Sequence, residues 1–288
     1  MSLHEIRGKI DSVDNIRQIT RAMEMVAASK MRRAEQRMAA SRPYAKQMAA
    51  IVGRLARGKP EYRHPWMRER PVRRVGMIVV SSDRGLCGGL NAALFRAALT
   101  RLQEFEAANV AVDLCTIGAK AQAFFARLGC NLLAHAVCPD DEPKIETLIG
   151  AVRVMLDDFA AGTIDRLDLS FNKFVNVAVQ QPVITQLLPL VPEVTDQPVA
   201  HWDYLYEPEA RPVVTRVLER FVESQLYQAV VENVACEQAA RMVAMQAASS
   251  NAGDIIDELR LDYNKSRQAR ITRELAEIVG GSKASRRR

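Results

Sequence analysis

Helix breakers are almost missing from the last third of this chain. From Val213 to Val279 there is no proline and a single glycine, Gly253. Alanine, glutamate, glutamine, arginine, leucine and methionine dominate the stretch, and these are good helix formers. One continuous helix of that length would measure about 100 Å at about 1.5 Å per residue. No compact domain of this size can bury such a rod, so it must project or pair with another long helix. Cysteine is scarce too: there are five, with no CxxC spacing, which argues against a disulfide framework and suits reduced thiols in a cytosolic setting. The four histidines, at 4, 64, 135 and 201, form no HExxH or finger spacing, so no metal site is expected. Apolar runs such as Met77 to Val80 are far too short to cross a bilayer. The opening MSLHEIRGK has no apolar segment after its charges, unlike a secretion signal.

What is present is an uneven charge. Residues 1–74 carry 18 Lys and Arg against 7 Asp and Glu, a net of +11. Residues 75–208 carry 9 against 16, a net of −7, and residues 209–288 carry 13 against 11, a net of +2. A basic segment invites an acidic partner; a solvated helix face fits the charge equally well.

Residues 3 to 57 read as a second long helix. Ile10, Val13, Thr20, Ala27, Met31, Ala34, Met38, Ala45, Met48, Val52 and Leu55 fall on a ladder of alternating three- and four-residue steps. Arg17, Glu24 and Ser41 fill its other rungs. This spacing marks a coiled-coil seam. Pro43 should kink the helix near Ser41, and Gly53, Gly58 and Pro60 should end it. The C-terminal helix carries a looser stripe: Val217, Phe221, Leu226, Val230, Val234, Met245, Ile255, Leu259, Ile271, Leu275 and Ile278. Between Ala235 and Ala252 small residues abound, which lets two helix axes approach closely. The two ends of the chain are expected to pair antiparallel, because a compact domain between them can return the chain.

Residues 75 to 190 alternate between strand and helix patterns. Strands are expected at 75–81, 110–117, 131–137, 167–175 and 177–188, and helices at 91–107, 119–128 and 144–161. Such alternation implies a largely parallel sheet covered by helices, a Rossmann-like layout. The fold class is therefore α/β: a long antiparallel two-helix coiled coil from the terminal segments, plus a central Rossmann-like domain. The divisions fall at residues 1–60, 61–208 and 209–288.

The loop Ser81 to Asn91 (SSDRGLCGGLN) lies between a strand and a helix, a place where anions bind. It lacks both the GxxxxGK[ST] phosphate loop and the GxGxxG dinucleotide spacing. A tight turn with glycines for close packing is the more ordinary reading. Cys87 at the helix start could be activated, though a buried spectator thiol is the commoner case. Asp140, Asp141 and Glu142 read as a solvated loop before a helix. No catalytic set emerges.

Two stretches resemble a known family. Ile19 to Met31 (ITRAMEMVAASKM) resembles the N-terminal signature of the gamma subunit of bacterial F-type ATP synthase. Glu237 to Met245 (EQAARMVAM), Tyr263 to Glu274 (YNKSRQARITRE) and Glu277 to Gly280 resemble its C-terminal signature. Asp83 to Asn91 and His201 to Pro208 (HWDYLYEP) also match. The resemblance spans nearly the whole chain in order. It departs at the end, where Gly280 is followed by Gly281 rather than Ala and the tail is basic.

The resemblance implies a non-catalytic shaft inside a hexamer of alpha and beta subunits, with no cofactor of its own. It also implies an epsilon subunit and a ring of c subunits at the base, where proton flow drives rotation. It further implies control of ATPase activity and proton flow, and a peripheral position on the cytoplasmic face of the inner membrane, touching the membrane only through the ring. Arg267 and Gln268 align with a catch on a beta-subunit loop. Met23, Thr272 and Glu274 align with coupling positions. Lys30 and Arg33 are candidates for an ionic track, and Tyr204, Tyr206 and Glu207 align with the foot on the ring. On residue type alone Arg267 would be a solvated helix charge; the resemblance favours the catch. Two rival readings are a nucleotide-dependent enzyme, which leaves the long helices unexplained, and a nucleic-acid binder, which lacks base-reading or stacking patterns.

Overall fold

The computed structural model describes residues 2–57, 64–137, 143, 145–190, 207 and 209–285. Helix α1 (Leu3–Arg57) leads to a short 3-10 turn (Pro65–Met67) and strand β1 (Arg74–Val80). Then follow α2 (Leu90–Ala107), β2 (Ala111–Ile117), α3 (Ala119–Arg127), β3 (Leu132–Ala136), α4 (Ile145–Ala161), β4 (Arg166–Phe174), β5 (Gln180–Leu188) and α5 (Ala210–Ser285). Within the sheet region the largest departure from the expected ends is the start of β5, at Gln180 rather than Val177. The stretch Asp140 to Glu142 lies outside the described residues. By packing, the chain divides into two compact units: residues 27–241, and residues 1–26 with 242–288.

The larger unit contains one five-stranded sheet in the order β3-β2-β1-β4-β5. Strand β1 pairs parallel with β2 and β4, and β2 pairs parallel with β3. Strand β5 returns antiparallel on β4, through a turn in which Asn176 Oδ1 accepts the Ala178 and Val179 amides. Central β1 is buried on both faces, as parallel strands are. Val75, Met77 and Val79 pack with Leu94, Phe95 and Phe125 of α2 and α3. Ile78 and Val80 face the other way, towards Leu148, Met155 and Phe159 of α4. Gly76 leaves room there for the Leu167 side chain, which a Cβ would approach to 2.8 Å and force to shift.

That second face has an additional cover. Val52 and Leu55 of α1, with Val214, Leu218, Val222 and Leu226 of α5, belong to the same core as α4. Ser41 Oγ lies 2.6 Å from Gln228 Oε1, so numbers rise along α1 as they fall along α5 and the pair is antiparallel. The α1 ladder holds in this unit: Ala27, Met31, Ala34, Met38, Ala45, Met48, Val52 and Leu55 are buried. Helix α1 passes through Pro43 without a break.

In the smaller unit Ile6 and Thr20 of α1 are buried, and Ile10 and Val13 half-buried. On α5 the buried residues are Met245, Ala252 and Ile256. The stripe expected along the C-terminal helix therefore needs correction. Its upper part holds at Leu226, Val230 and Met245, but Ile255 is 46% exposed while Ile256 is 1% exposed. Ile271, Leu275 and Ile278 are exposed as well. Spacing alone cannot separate a face turned to a partner helix from one turned outward, since both repeat every 3.6 residues.

Buried His64 joins the 3-10 turn to the core. Its Nδ1 accepts the Trp66 amide at 3.2 Å, which requires that nitrogen to be unprotonated. Burial, and then Arg211, hold its pKa below the ordinary 6.5. The unfolded chain thus binds the proton first as pH falls, so this contribution is complete above about pH 6.5 and declines below it. Melting temperature should fall more between pH 7 and 5 in the native chain than in His64→Asn; parallel curves would refute the assignment.

Candidate partner-contact surfaces

The family-signature residues near the C-terminus lie on bare helix. Every residue of α5 from Arg267 to Ile278 is exposed. Arg267 and Glu274 are two turns apart on one face, and Gln268 and Thr272 are one turn apart on the next. Glu274 Oε1 accepts from Arg270 Nε at 2.8 Å, so that carboxylate is already oriented along the helix. Apolar residues share the surface: Ile271, Leu275 and Ile278 recur at steps of four and three. Helix α1 shows the same feature. Ile16, Ile19 and Val26 are exposed, and half-buried Met23 completes their three- and four-residue spacing. Outward apolar stripes at helical spacing mark protein contact surfaces.

In the larger unit Lys30 is half-buried and Arg33 exposed, one turn apart on α1. Arg32, Arg42, Lys46 and Arg54 are exposed on the same helix; Arg42 comes within 3.9 Å of Glu232. Of the foot residues, Glu207 is exposed, and Tyr204 and Tyr206 lie outside the described residues.

The loop after β1 is bound inward. Asp83 Oδ1 accepts the Ala119 amide at 2.8 Å, Ser81 Oγ the Ala121 amide at 2.9 Å, and the Ser82 carbonyl the Lys120 amide at 3.1 Å. The free amides at the start of α3, where an anion would bind, are thereby occupied. Gly118 has φ +102°, and a Cβ there would overlap the Ser81 carbonyl. Asn91 Nδ2 donates to Ser82 Oγ at 2.7 Å, closing the turn. Cys87 is buried against Leu90 and Cys236, and a reactive thiolate needs exposure. Burial, helped by Glu232, raises the pKa of the Cys236 thiol. Residues Ser81 to Asp83 are thus held against the start of α3, while α2, the helix that follows the loop, has Gly89 at its N-cap and no side-chain cap.

One contact had no role assigned from the sequence. Arg241, buried on α5, donates from Nη2 to the Gly85 carbonyl at 3.2 Å and meets Glu237 Oε1 at 2.6 Å. The signal was an ion pair four residues apart inside an alanine-rich run.

Because the loop carries no phosphate-binding motif, calorimetry of the isolated chain with micromolar ATP should give no binding isotherm. Asp83→Ala should cost about 1 kcal/mol, the scale of a lost helix cap. Thermal melting checks it; an unchanged transition would mean that water replaces the carboxylate at no cost.

Residues 2–284 match the family model described as ATP synthase. The chain is 58% identical over 283 residues to the ATP synthase gamma chain of Nitrosococcus oceani, covering 97% of this chain and 98% of the other. It is 52% identical over 282 residues to that of Legionella pneumophila (strain Corby), with the same coverage. Among solved structures it resembles a chain of the Tetrahymena thermophila mitochondrial ATP synthase central stalk and c-ring, with TM-score 0.59 and 25% identity over 80% of this chain and 99% of that one. It also shares the fold of a chain from the Euglena gracilis mitochondrial ATP synthase, with TM-score 0.67 and 20% identity over 98% of this chain and 94% of that one. With paired terminal helices around an α/β sheet and this identity along nearly its full length, the chain belongs to the ATP synthase gamma-chain family.

Proposed function

We propose that this chain is the central rotor shaft of a proton-translocating F-type ATP synthase, itself without catalytic residues or cofactor. Its work is to carry rotation from a c-subunit ring to the catalytic sites of beta subunits, alternating with alpha subunits around the coil. Residues 1–60 and 209–288 form the shaft, and residues 61–208 the body at its base. An epsilon subunit and the ring meet that base through Tyr204, Tyr206 and Glu207. The assembly places the chain on the cytoplasmic face of the inner membrane, bound peripherally through the ring. The same contacts would let the chain restrain ATPase activity and proton flow.

The observation that carries this reading is the outward apolar stripe on each terminal helix, present in addition to the buried seam. A helix pair with one apolar face needs only its partner. These helices carry a second, exposed set, so they are built to touch something more. A shaft performs no bond chemistry; it makes unequal contacts with the conformations of its neighbours and so biases their populations. Arg267 is suited to this, since a guanidinium can grip a carboxylate through two parallel bonds. With Gln268 it forms the catch on beta; Met23, Thr272 and Glu274 support coupling, and Lys30 and Arg33 provide the ionic track.

Arg267 is exposed, so Arg267→Ala should leave the melting temperature of the free chain unchanged. In reconstituted enzyme it should lower ATP synthesis about tenfold, the scale of one hydrogen bond to a charged group. Native synthesis rates with the alanine variant would end the catch assignment.

A further inference from the structure

Where α5 crosses the carboxyl edge of the sheet it presents a smooth surface. Ala235, Cys236 and Ala239 are fully buried there. Small side chains make shallow ridges, and ridges set in grooves are what normally fix one packed helix against its neighbour. Such a contact permits close approach but resists rotation of the helix about its own axis poorly.

Directional polar contacts occupy that same stretch of α5. Asn172 Nδ2, on β4, donates to Asn233 Oδ1 at 2.9 Å. Cys236 Sγ donates to the Asn172 carbonyl at 3.3 Å. Two turns along from Asn233, Arg241 reaches the Gly85 carbonyl in the loop after β1, braced by Glu237. The helix is therefore held at two separate places, β4 and the β1 loop. Burying an ion pair is costly, and well-packed apolar residues often hold a helix as firmly. What the guanidinium adds is direction, since Nη2, held in the guanidinium plane, donates to both partners at once.

We propose that Arg241 is a positioning residue that keys α5 to the sheet against rotation, so that torque on the α/β body enters the coil instead of being lost as twist. This rests on the shaft reading above.

Arg241→Met alone would remove the cation facing the Glu237 carboxylate and change the local net charge, so the probe is the double variant Glu237→Gln with Arg241→Met, which removes both charges. In reconstituted enzyme, protons pumped per ATP hydrolysed should fall several-fold at native levels of assembled complex. Arg241→Lys, a single point charge, should lie between. In the free full-length chain the double variant should speed hydrogen exchange of the 82–90 loop about tenfold or more, the scale of a lost hydrogen bond to a charged group. An unchanged pumping ratio would overturn the proposal, and so would a loss that only tracks reduced assembly. If Arg267→Ala lowers coupling and the double variant does not, the key fails while the shaft reading stands. If neither lowers it, the key and the catch assignment both fail.

Discussion

Close packing of α1 on α5 through small and flexible side chains is the constraint on which the architecture depends. The buried α1 positions of the larger unit include Ala27, Ala34 and Ala45, alternating with Met31, Met38 and Met48. Alanine sets a short distance between helix axes, and methionine, with three rotatable bonds, fills the irregular space left over. Each buried methionine contributes roughly 1.5–3 kcal/mol, so the seam is strong although it holds few large residues. Val52 and Leu55 continue it onto the sheet, where Val214 and Leu218 share their core with α4. The coil and the α/β body of the larger unit therefore rest on one hydrophobic core.

The charge distribution follows from the seam. A ladder of apolar rungs turns most cations of α1 outward, though Arg17 and Lys30 are half-buried. Arg32, Arg33, Arg42, Lys46 and Arg54 are all exposed. Buried charge is handled differently in the body. Asp168 has no exposed surface and sits 2.7 Å from Arg166 and 3.8 Å from Arg101. Burial raises its pKa while those two guanidinium groups oppose the shift. One set of charges specifies packing inside the molecule, and the other is displayed outward.

The α1 ladder and the sheet region were legible because each rests on a local period. Three- and four-residue steps marked α1, and apolar runs between turn residues marked the strands. The reversal of β5 went unread, although the connection between the strands expected at 167–175 and 177–188 is too short for the crossover that parallel neighbours need. Ile255 was placed on the seam where Ile256 belongs, because the Ala-rich run before it offers few large residues to fix the phase. The roles of Asp83 and Arg241 were hidden for another reason. Both contact backbone groups distant in sequence, Ala119 and Gly85, and backbone groups leave no side-chain signature. Of the family-signature residues, Arg267, Gln268, Thr272 and Glu274 were placed by resemblance; exposed helix positions carry no packing pattern from which a role could be read.

The far end of α5 raises a question of physical chemistry. Residues 267 to 278 are exposed all round, and isolated helices of that length are marginal in water. Most of the cost of a helix, however, lies in nucleation. Here the first turns are formed much earlier, in the part of α5 that buries Met245, Ala252 and Ile256. Each further residue adds a hydrogen bond to a helix already started. The composition favours such propagation, with alanine, arginine, glutamate, glutamine and leucine frequent, and Arg270 bonded to Glu274 one turn on. The exposed end can thus persist without a partner helix of its own. That leaves Ile271, Leu275 and Ile278 free for contacts outside the chain, which a helix stabilised by burying those residues could not offer.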